Sequence, residues 1–384
     1  MSPTVDAVQL FDLTPEQYEI REVARRVAVE NFQKRNLEWE ESGEFPWANI
    51  RLLAETGLLG ATIPEEYGGG GGSWLEGALI LEQLGRSCYV TAMAALGEIG
   101  VQTQAIAAYG TDEQKRRYLP KVAAGELICS VSITEADAGS DIGAMRTTAR
   151  DDGDEVVING GKIFCSRADV AGLFVVYVRF SDEPGTHPIG AVLIERDTPG
   201  FTIGGAERTL GGEALYSLYF DDVRIPKGNV LVREDGFRRM LTAFNGQRCL
   251  NASISIGIAQ GAQDAAVAYA KERHQGGKRL ADHQGIQWML ADNEVEIQAA
   301  RQLVWRAAAK ASGGFPTRSE AAVAKVFSNE MALRVTDRVL QIFGGHGWLR
   351  EFPAGRYLRW ARYGPLGGGT PQIQRNGIAR ELLR

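Results

Sequence analysis

The order of helix-type and strand-type segments limits the fold of this chain more than any other feature of its sequence. Helical patterns fill residues 1–127, short β-branched and aromatic runs separated by Gly, Asp and Pro fill 128–235, and helical patterns return over 236–384. Strands and helices do not alternate, which argues against Rossmann and TIM-barrel architectures. The pattern predicts an α+β fold with an N-terminal α-helical domain, a middle antiparallel β domain and a C-terminal helical domain.

Local signals place several elements inside these domains. Thr14, with Gln three residues later, predicts a capping box, and Thr111-Asp-Glu-Gln predicts the start of a second helix. Residues 156–158 and 162–164 flank Asn-Gly-Gly and predict a β-hairpin. Further strands are predicted at 173–178, 189–194 and 218–220, and long helices at 248–273, 284–310 and 319–342.

Composition and charge narrow the class of protein. The chain has 42 Lys and Arg against 48 Asp and Glu, a net charge of −6, so we expect neither a nucleic-acid nor a membrane partner. Its four cysteines lie far apart in sequence and lack the spacing of metal ligands, so we expect no metal site. The same cysteine usage predicts a protein of the reducing cytoplasm. No basic n-region precedes an apolar stretch, and no apolar run approaches the ~18 residues of a spanning helix.

The common catalytic motifs are missing from this sequence. It contains no G-x-G-x-x-G after a strand, no P-loop, no HExxH and no G-x-S-x-G. Metalloprotease, P-loop NTPase and serine-hydrolase chemistry therefore have no local support. What remains is a set of segments rich in Gly, hydroxyl and charged residues, at 132–141, 162–166, 271–284, 341–347 and 367–374.

These segments resemble the acyl-CoA dehydrogenase family, in the same order and at the same distances over essentially the whole chain. Residues 134–141 match its TEPxAGSD element, 341–347 its Q-x-x-G-G-x-G, and 369–374 its G-T-x-x-I-Q. The resemblance implies FAD in the cleft between the β domain and a C-terminal four-helix-bundle domain. It also implies a homotetramer in which a neighbouring subunit completes each FAD site.

The resemblance also assigns residues to the cofactor. Isoalloxazine needs hydroxyl and backbone donors at its polar edges and an apolar wall over its ring, and the pyrophosphate needs an arginine and exposed amides. Ser166 stands where the family usually has threonine, Phe164 where many members have tryptophan, and Gly276 where phenylalanine is usual. The expected cofactor-binding residues are Val131, Ile133, Thr134, Ser140, Phe164, Ser166, Arg273, His283, Gln284, Gln341, Gly344, Gly345, Thr370 and Gln372.

The catalytic base departs from the family pattern. A dehydrogenase needs a glutamate to take the α-proton, and the family places it at one of two positions, which are Gln247 and Gly368 here. Neither residue can accept the proton. Glu98, on a stretch that borders the acyl pocket in the family, is then either a relocated base or an exposed carboxylate at a helix end. Ser140, Asn245, Gln247 and Arg248 are the expected substrate-side residues, with Arg248 structural behind Gln247.

Several functions are compatible with this departure. The first is α,β-dehydrogenation of an acyl-CoA or acyl-carrier-protein thioester, with an acceptor such as electron-transfer flavoprotein. The pattern of Gln247 and Gly368 also resembles that of 3-sulfinopropionyl-CoA desulfinases, although Met93 falls where a pocket arginine would be expected for a sulfinate. A flavin monooxygenase and an inactive partner subunit of a hetero-oligomer would each fit the missing glutamate as well.

Overall fold

A computed structural model describes residues 13–311 and 314–384. Contacts between Cα atoms divide the chain into two compact units. The first unit consists of residues up to Asn36 together with Ser73–Ala92 and Arg248–Arg384, and the second consists of Leu37–Gly72 and Met93–Gln247. The domain boundaries expected from the sequence, after 127 and after 235, remain predictions.

Helices dominate both ends of the described chain. In chain order the α-helices are α1 (Pro15–Val27), α2 (Asn36–Ser42), α3 (Trp47–Glu55), α4 (Trp74–Ser87), α5 (Tyr89–Leu96), α6 (Gln102–Tyr109), α7 (Asp112–Ala123), α8 (Gly236–Glu272), α9 (Gln284–Ala309), α10 (Arg318–Phe343), α11 (Ala354–Ala361) and α12 (Pro371–Leu382). Two π-helical segments, Ala28–Phe32 and Gly97–Val101, follow α1 and α5. Short 3₁₀ segments lie at Gln33–Arg35, Glu65–Tyr67, Ile142–Ala144, Lys227–Asn229, Leu280–Asp282 and Gly344–Trp348.

The predicted capping box at Thr14 and the predicted helix start at Thr111 are confirmed, and Thr111 also forms a capping box. The Thr14 and Thr111 hydroxyls accept hydrogen bonds from the backbone N–H groups of Gln17 and Gln114, and both glutamine side chains accept from the N-cap backbone in return. Helix α8 begins twelve residues before the predicted start at 248, so Gln247 lies inside a helix.

The strands of the second unit form one predominantly antiparallel sheet. They are β1 (Cys129–Ser132), β2 (Thr148–Asp152), β3 (Glu155–Ser166), β4 (Leu173–Arg179), β5 (Ile189–Glu195), β6 (Phe201–Arg208), β7 (Ala214–Pro226) and β8 (Val230–Val232). The strand order is β6-β7-β3-β2-β4-β5-β8, and β1 pairs in parallel with β4. Strands β4 and β5 are buried along almost their whole length, so they form the centre of this unit's core.

The predicted hairpin around Gly160 is wrong. Residues 155–166 form one continuous strand, because its two halves both pair with β7 and the register shifts between Ile158 and Gly160. Gly160 has φ of +139°, and a Cβ there would lie 2.7 Å from the Thr147 backbone. Gly160 therefore allows a β-bulge in close contact with the Thr147 backbone, and the chain does not reverse direction there.

The first unit is built around close helix contacts. A Cβ on Gly257 of α8 would lie 2.0 Å from the Glu82 carbonyl oxygen of α4, and one on Gly85 would lie 2.6 Å from the carbonyl of Ile254. These glycines let the backbones of α4 and α8 approach each other directly. Helix α10 packs against α9, α11 and α12.

The described residues offer neither a membrane span nor a metal cluster. Among residues 13–311 and 314–384, no helix is both long and apolar enough to cross a membrane. The same residues contain no group of three or more His, Cys, Asp or Glu side chains placed to hold a metal ion.

Candidate functional site

The segment after β1 is fastened to β3 by backbone and side-chain hydrogen bonds. The Ile163 N–H donates to the Thr134 carbonyl oxygen at 2.9 Å, and Lys162 Nζ donates to the Ile133 carbonyl oxygen at 3.1 Å. The Ser130 hydroxyl donates to the Ser166 carbonyl oxygen at 2.9 Å. The structure therefore brings the two predicted cofactor-binding segments, 131–134 and 163–166, into direct contact.

A buried ion pair reinforces that contact. Lys162 Nζ lies 2.7 Å from Glu135 Oε1, and the Glu135 carboxylate also accepts from the backbone N–H groups of Arg146 and Thr147. Burial raises the pKa of Glu135, but Lys162 and the hydrogen bonds outweigh burial and hold this pKa below its usual value. Burial lowers the pKa of Lys162 to about 8, with Glu135 opposing the shift.

The turn at 164–167 is strained. Phe164 has φ of +57° and Arg167 has φ of +61°, a conformation that costs a non-glycine residue about 1–2 kcal/mol. Phe164 is also 56% exposed, unusual for a large aromatic ring. Strain of this kind persists where surrounding contacts fix the backbone, and it concentrates at functional sites.

These features fit one face of an isoalloxazine ring. An exposed aromatic side chain stands beside the partly exposed Thr134 and Ser166, which supply short hydroxyl groups. Ser132, two residues before Thr134, is buried in β1. Val131 and Ile133 are partly buried, whereas Ser140 is exposed in the loop that follows.

Glu98 is buried rather than exposed, so its prediction as an exposed carboxylate is wrong. It lies in the π-helical segment after α5 and is 0% exposed. Its Oε1 accepts from the Cys129 N–H at 2.9 Å, and its Oε2 accepts from Arg167 Nη1 at 2.5 Å. Burial raises the pKa of Glu98 and Arg167 opposes that rise. Because both oxygens already accept hydrogen bonds, this arrangement does not favour Glu98 as a relocated base.

The two base positions hold no carboxylate. Gln247 is in α8, is 5% exposed, and its Oε1 has no hydrogen-bond partner among the described residues. Its neighbours Asn245 and Arg248 are also buried. Gly368 has φ of +71°, a backbone conformation that strains any residue with a side chain.

The loop around Gly368 is held by Gln374, the last residue of the predicted G-T-x-x-I-Q element, and by two residues of α10 that the sequence did not indicate. Gln374, itself buried, donates from Nε2 to the carbonyl oxygens of Gly368 and Gly369 at 3.3 and 3.4 Å. Lys325 and Asn329, both in α10, donate to the Gly364 carbonyl oxygen at 2.9 and 2.6 Å. Burial, with the Arg248 charge adding to it, lowers the pKa of Lys325 to about 7. A lysine inside an alanine-rich helical pattern is the one available sequence sign of this anchor.

The remaining predicted residues lie in the first unit. Arg273 directly follows α8. It precedes a two-stranded ribbon, β9 (His274–Gln275) and β10 (Lys278–Arg279), whose turn residue Gly276 has φ of +61°. A phenylalanine at position 276 would be strained in this backbone conformation. His283, the N-cap of α9, contacts the Gln275 carbonyl oxygen at 3.0 Å, and Gln284 opens that helix.

A second group lies at the end of α10 and the start of α12. Gln341 is in the last turn of α10, and Gly344, with φ of +58°, ends the helix beside Gly345. Thr370 caps α12 through its hydroxyl, which accepts from the Ile373 N–H at 3.3 Å, and Gln372 lies in the first turn. Apart from Ser140, which lies in a loop, the predicted cofactor-binding residues thus fall into local groups at or next to the ends of helices and strands.

Comparisons with known proteins identify the family. Three family models match: acyl-CoA dehydrogenase, N-terminal domain, over residues 14–126; middle domain over 130–223; and C-terminal domain over 234–383. Acryloyl-CoA reductase (NADH) of Anaerotignum propionicum is 38% identical, over 97% of this chain and 96% of that protein. The 3-sulfinopropanoyl-CoA desulfinase of Paraburkholderia xenovorans is 37% identical, over 97% of each chain.

A solved structure agrees with these matches. Butyryl-CoA dehydrogenase from Megasphaera elsdenii superposes with a TM-score of 0.94 at 32% identity, over 97% of this chain and 100% of that one. The predicted three-part order of helical, β and helical domains is confirmed. This chain is an FAD-dependent enzyme that belongs to the acyl-CoA dehydrogenase family.

Proposed function

We propose that this enzyme is an acyl-thioester oxidoreductase of the α,β-dehydrogenating type that works without a carboxylate at either base position of its family. The observation that carries the proposal is Gln247, a buried amide in α8 whose side-chain oxygen has no partner among the described residues. A neutral amide can hydrogen-bond a thioester but cannot take its α-proton.

Residues of the strained turn, together with Thr134 and Arg273, are the proposed contacts to the cofactor. Thr134 and Ser166 offer hydroxyl groups and Phe164 an aromatic face to FAD, and Arg273 offers a cation to its pyrophosphate. Gln341, Gly344 and Gly345 would complete the site of a neighbouring subunit in a homotetramer. When bound, FAD supplies a hydride acceptor for the β-carbon of the acyl group.

On the substrate side, the residues of this chain bind and orient the thioester, and none of those named takes its α-proton. Gln247 and Asn245 present amides from one helix, and Ser140 an exposed hydroxyl, to the thioester and its carrier, CoA or an acyl-carrier protein. A positioned base contributes about 10²–10⁴ to a rate, so we expect dehydrogenation of a simple acyl-CoA to be slower by a factor of this size than with a glutamate in place. Electrons would leave to an acceptor such as electron-transfer flavoprotein.

A second candidate is a reaction that removes no α-proton. The relative named 3-sulfinopropanoyl-CoA desulfinase is similar over 97% of the chain, and both carboxylate oxygens of Glu98 already accept hydrogen bonds from protein groups. Arg167 donates to the carbonyl oxygen of Ala94, next to Met93, so an arginine does reach this stretch of helix. Glu98 neutralises it, however, which weakens it as a receptor for a sulfinate.

The purified protein distinguishes these functions. A yellow protein whose flavin absorbance bleaches when an acyl-CoA is added anaerobically, and which reduces an artificial acceptor, supports the proposal. A protein that stays yellow while it consumes a 3-sulfinoacyl thioester supports the second candidate. Consumption of NADH and oxygen would indicate a monooxygenase, and loss of flavin in the absence of a partner protein would indicate an inactive subunit.

A further inference from the structure

The guanidinium of Arg167 is an internal anchor of the turn that presents Phe164 and Ser166. Its side chain is only 11% exposed, and Nη1 donates to Glu98 Oε2 at 2.5 Å and to the Ala94 carbonyl oxygen at 2.8 Å. The backbone of the same residue is in the left-handed region. One residue therefore bears part of the strain of the turn and also makes the contacts that fix it.

Glu98 links this anchor to β1. Its Oε1 accepts from the Cys129 N–H, at the first residue of β1, while Oε2 accepts from Arg167. In the orientation that satisfies both atoms of its amide, Gln102 accepts from Arg167 Nη2 at 2.9 Å and from the Val131 N–H at 3.0 Å. The carboxylate and the amide thus join the strand and the turn that carry the proposed flavin contacts.

The helix around Glu98 is shaped to admit the guanidinium. A Cβ at Gly97 would lie 2.3 Å from Arg167 Nη2, so any larger residue would displace it. The segment Gly97–Val101 is π-helical, a local expansion that is frequent at functional sites. A buried ion pair adds little net stability when compared with apolar packing, and its best-attested use is to specify one arrangement among several.

We propose that the Glu98–Arg167 ion pair is a positioning device for the cofactor, which holds the 164–167 turn so that Phe164 and Ser166 meet FAD in a preset geometry. This inference rests on the proposed function. Glu98 is then a positioning residue that acts through Arg167 and β1, and its carboxylate does not touch the substrate.

The test uses Glu98→Gln, Arg167→Gln and the double variant, each stripped of flavin and titrated with FAD while flavin fluorescence is followed. Each single change should weaken FAD binding about tenfold or more. Because the two residues act as one unit, the double variant should be about as weak as the weaker single variant rather than about a hundredfold weaker. The visible circular dichroism of the bound flavin should change in the same sense as in Ser166→Ala.

Asp151→Asn provides the matched control. It breaks a two-bonded ion pair with Arg233 at 2.9 and 3.0 Å in the same unit, where both side chains are more than 40% exposed. It should leave both FAD affinity and the flavin spectrum unchanged. A general loss of stability on breaking an ion pair would alter unfolding in all variants but would not alter the flavin spectrum.

Two further variants decide the question if the first ones do not fold. Gly97→Ala keeps both charges but displaces the guanidinium. Arg167→Lys keeps the positive charge but loses the planar guanidinium with its several N–H donors. Both should alter the flavin spectrum, with Arg167→Lys the milder. Folded variants that bind FAD with wild-type affinity and spectrum would overturn the inference alone, whereas a wild-type protein that takes up no FAD would overturn the proposed function.

Discussion

The turn at 164–167 keeps the residue types that the family uses to bind its cofactor, whereas the two base positions have lost the residue type that the family uses to remove a proton. The turn keeps an aromatic ring and a hydroxyl, bears backbone strain, and is fixed by hydrogen bonds to β1 and to the helical stretch 94–98. At the base positions the carboxylate is replaced by an amide at Gln247 and by no side chain at Gly368. The difference teaches that binding a cofactor and moving a proton depend on separate residues, so one can be lost while the other is kept.

The largest expected effect comes from restoring the base. Gln247→Glu should raise the rate of acyl-CoA dehydrogenation by about 10²–10⁴, because it places a proton acceptor at a family base position. The measurement is the rate of anaerobic flavin bleaching with a series of acyl-CoAs. Gln247→Leu, of similar size and without an acceptor, should give no gain. If the glutamate variant is as slow as wild type with every acyl-CoA, the usual substrate pose is wrong for this enzyme.

On the cofactor side, the largest effect should come from Glu135→Gln. It leaves the Lys162 ammonium buried without its counter-ion, and breaking a buried pair in this way costs about 3–5 kcal/mol of unfolding free energy. Urea denaturation at neutral pH measures the loss. Asp151→Asn at the surface should cost about 0–1 kcal/mol by the same assay. Equal losses of unfolding free energy in the two variants would mean that the buried ion pair contributes no more to stability than the exposed one.

Behind the Gly368 loop, Lys325 should make stability depend on pH. Its folded pKa is about 7 and its unfolded value is the ordinary 10.5, so between these values the unfolded chain binds more protons and stability rises with pH. Relative to Lys325→Met, the wild type should gain about 2 kcal/mol from about pH 6.5 to about pH 8.5. Denaturation of both proteins at the two pH values measures this gain. A constant difference would show that Lys325 keeps one charge state throughout.

The smallest expected effect separates capping from cofactor binding at Thr370. Thr370→Ala removes the hydroxyl that caps α12 and should cost about 1 kcal/mol of stability. Thr370→Ser keeps the cap and should be nearly neutral. If the alanine variant also loses FAD affinity while the serine variant does not, the hydroxyl contributes to the cofactor site as well as to the helix.

Local elements were predictable from the sequence because their causes are local. The capping boxes at Thr14 and Thr111 depend on residues three apart, and the strands at 173–178 and 189–194 depend on β-branched runs. The hairpin at 159–161 failed because pairing with β7, about 60 residues away, outweighed the turn preference of Asn-Gly. Propensity is a weak prior wherever long-range pairing competes with it.

The site was predictable in residue type but not in geometry. Thr134 and Ser166 were expected near each other from a family pattern, and the hydrogen bonds at Ile163 and Ser130 bring their segments together. Glu98 and Arg167 are 69 residues apart, and neither the spacing nor the charge pattern indicates that they pair. The positive φ of Phe164 could not be predicted either, because aromatic residues have no preference for the left-handed backbone conformation.

The backbone conformation at Gly368 also affects how a base-free enzyme of this kind could regain a catalytic glutamate by mutation. A Gln codon becomes a Glu codon by a single nucleotide change, and position 247 already has helical backbone that suits the new residue. A glutamate at 368 would face a backbone with φ of +71°, so a mutation there would have to be accompanied by remodelling of the loop. Recovery of proton-abstracting activity, by selection in the laboratory or in nature, should therefore pass through the helix far more often than through the loop.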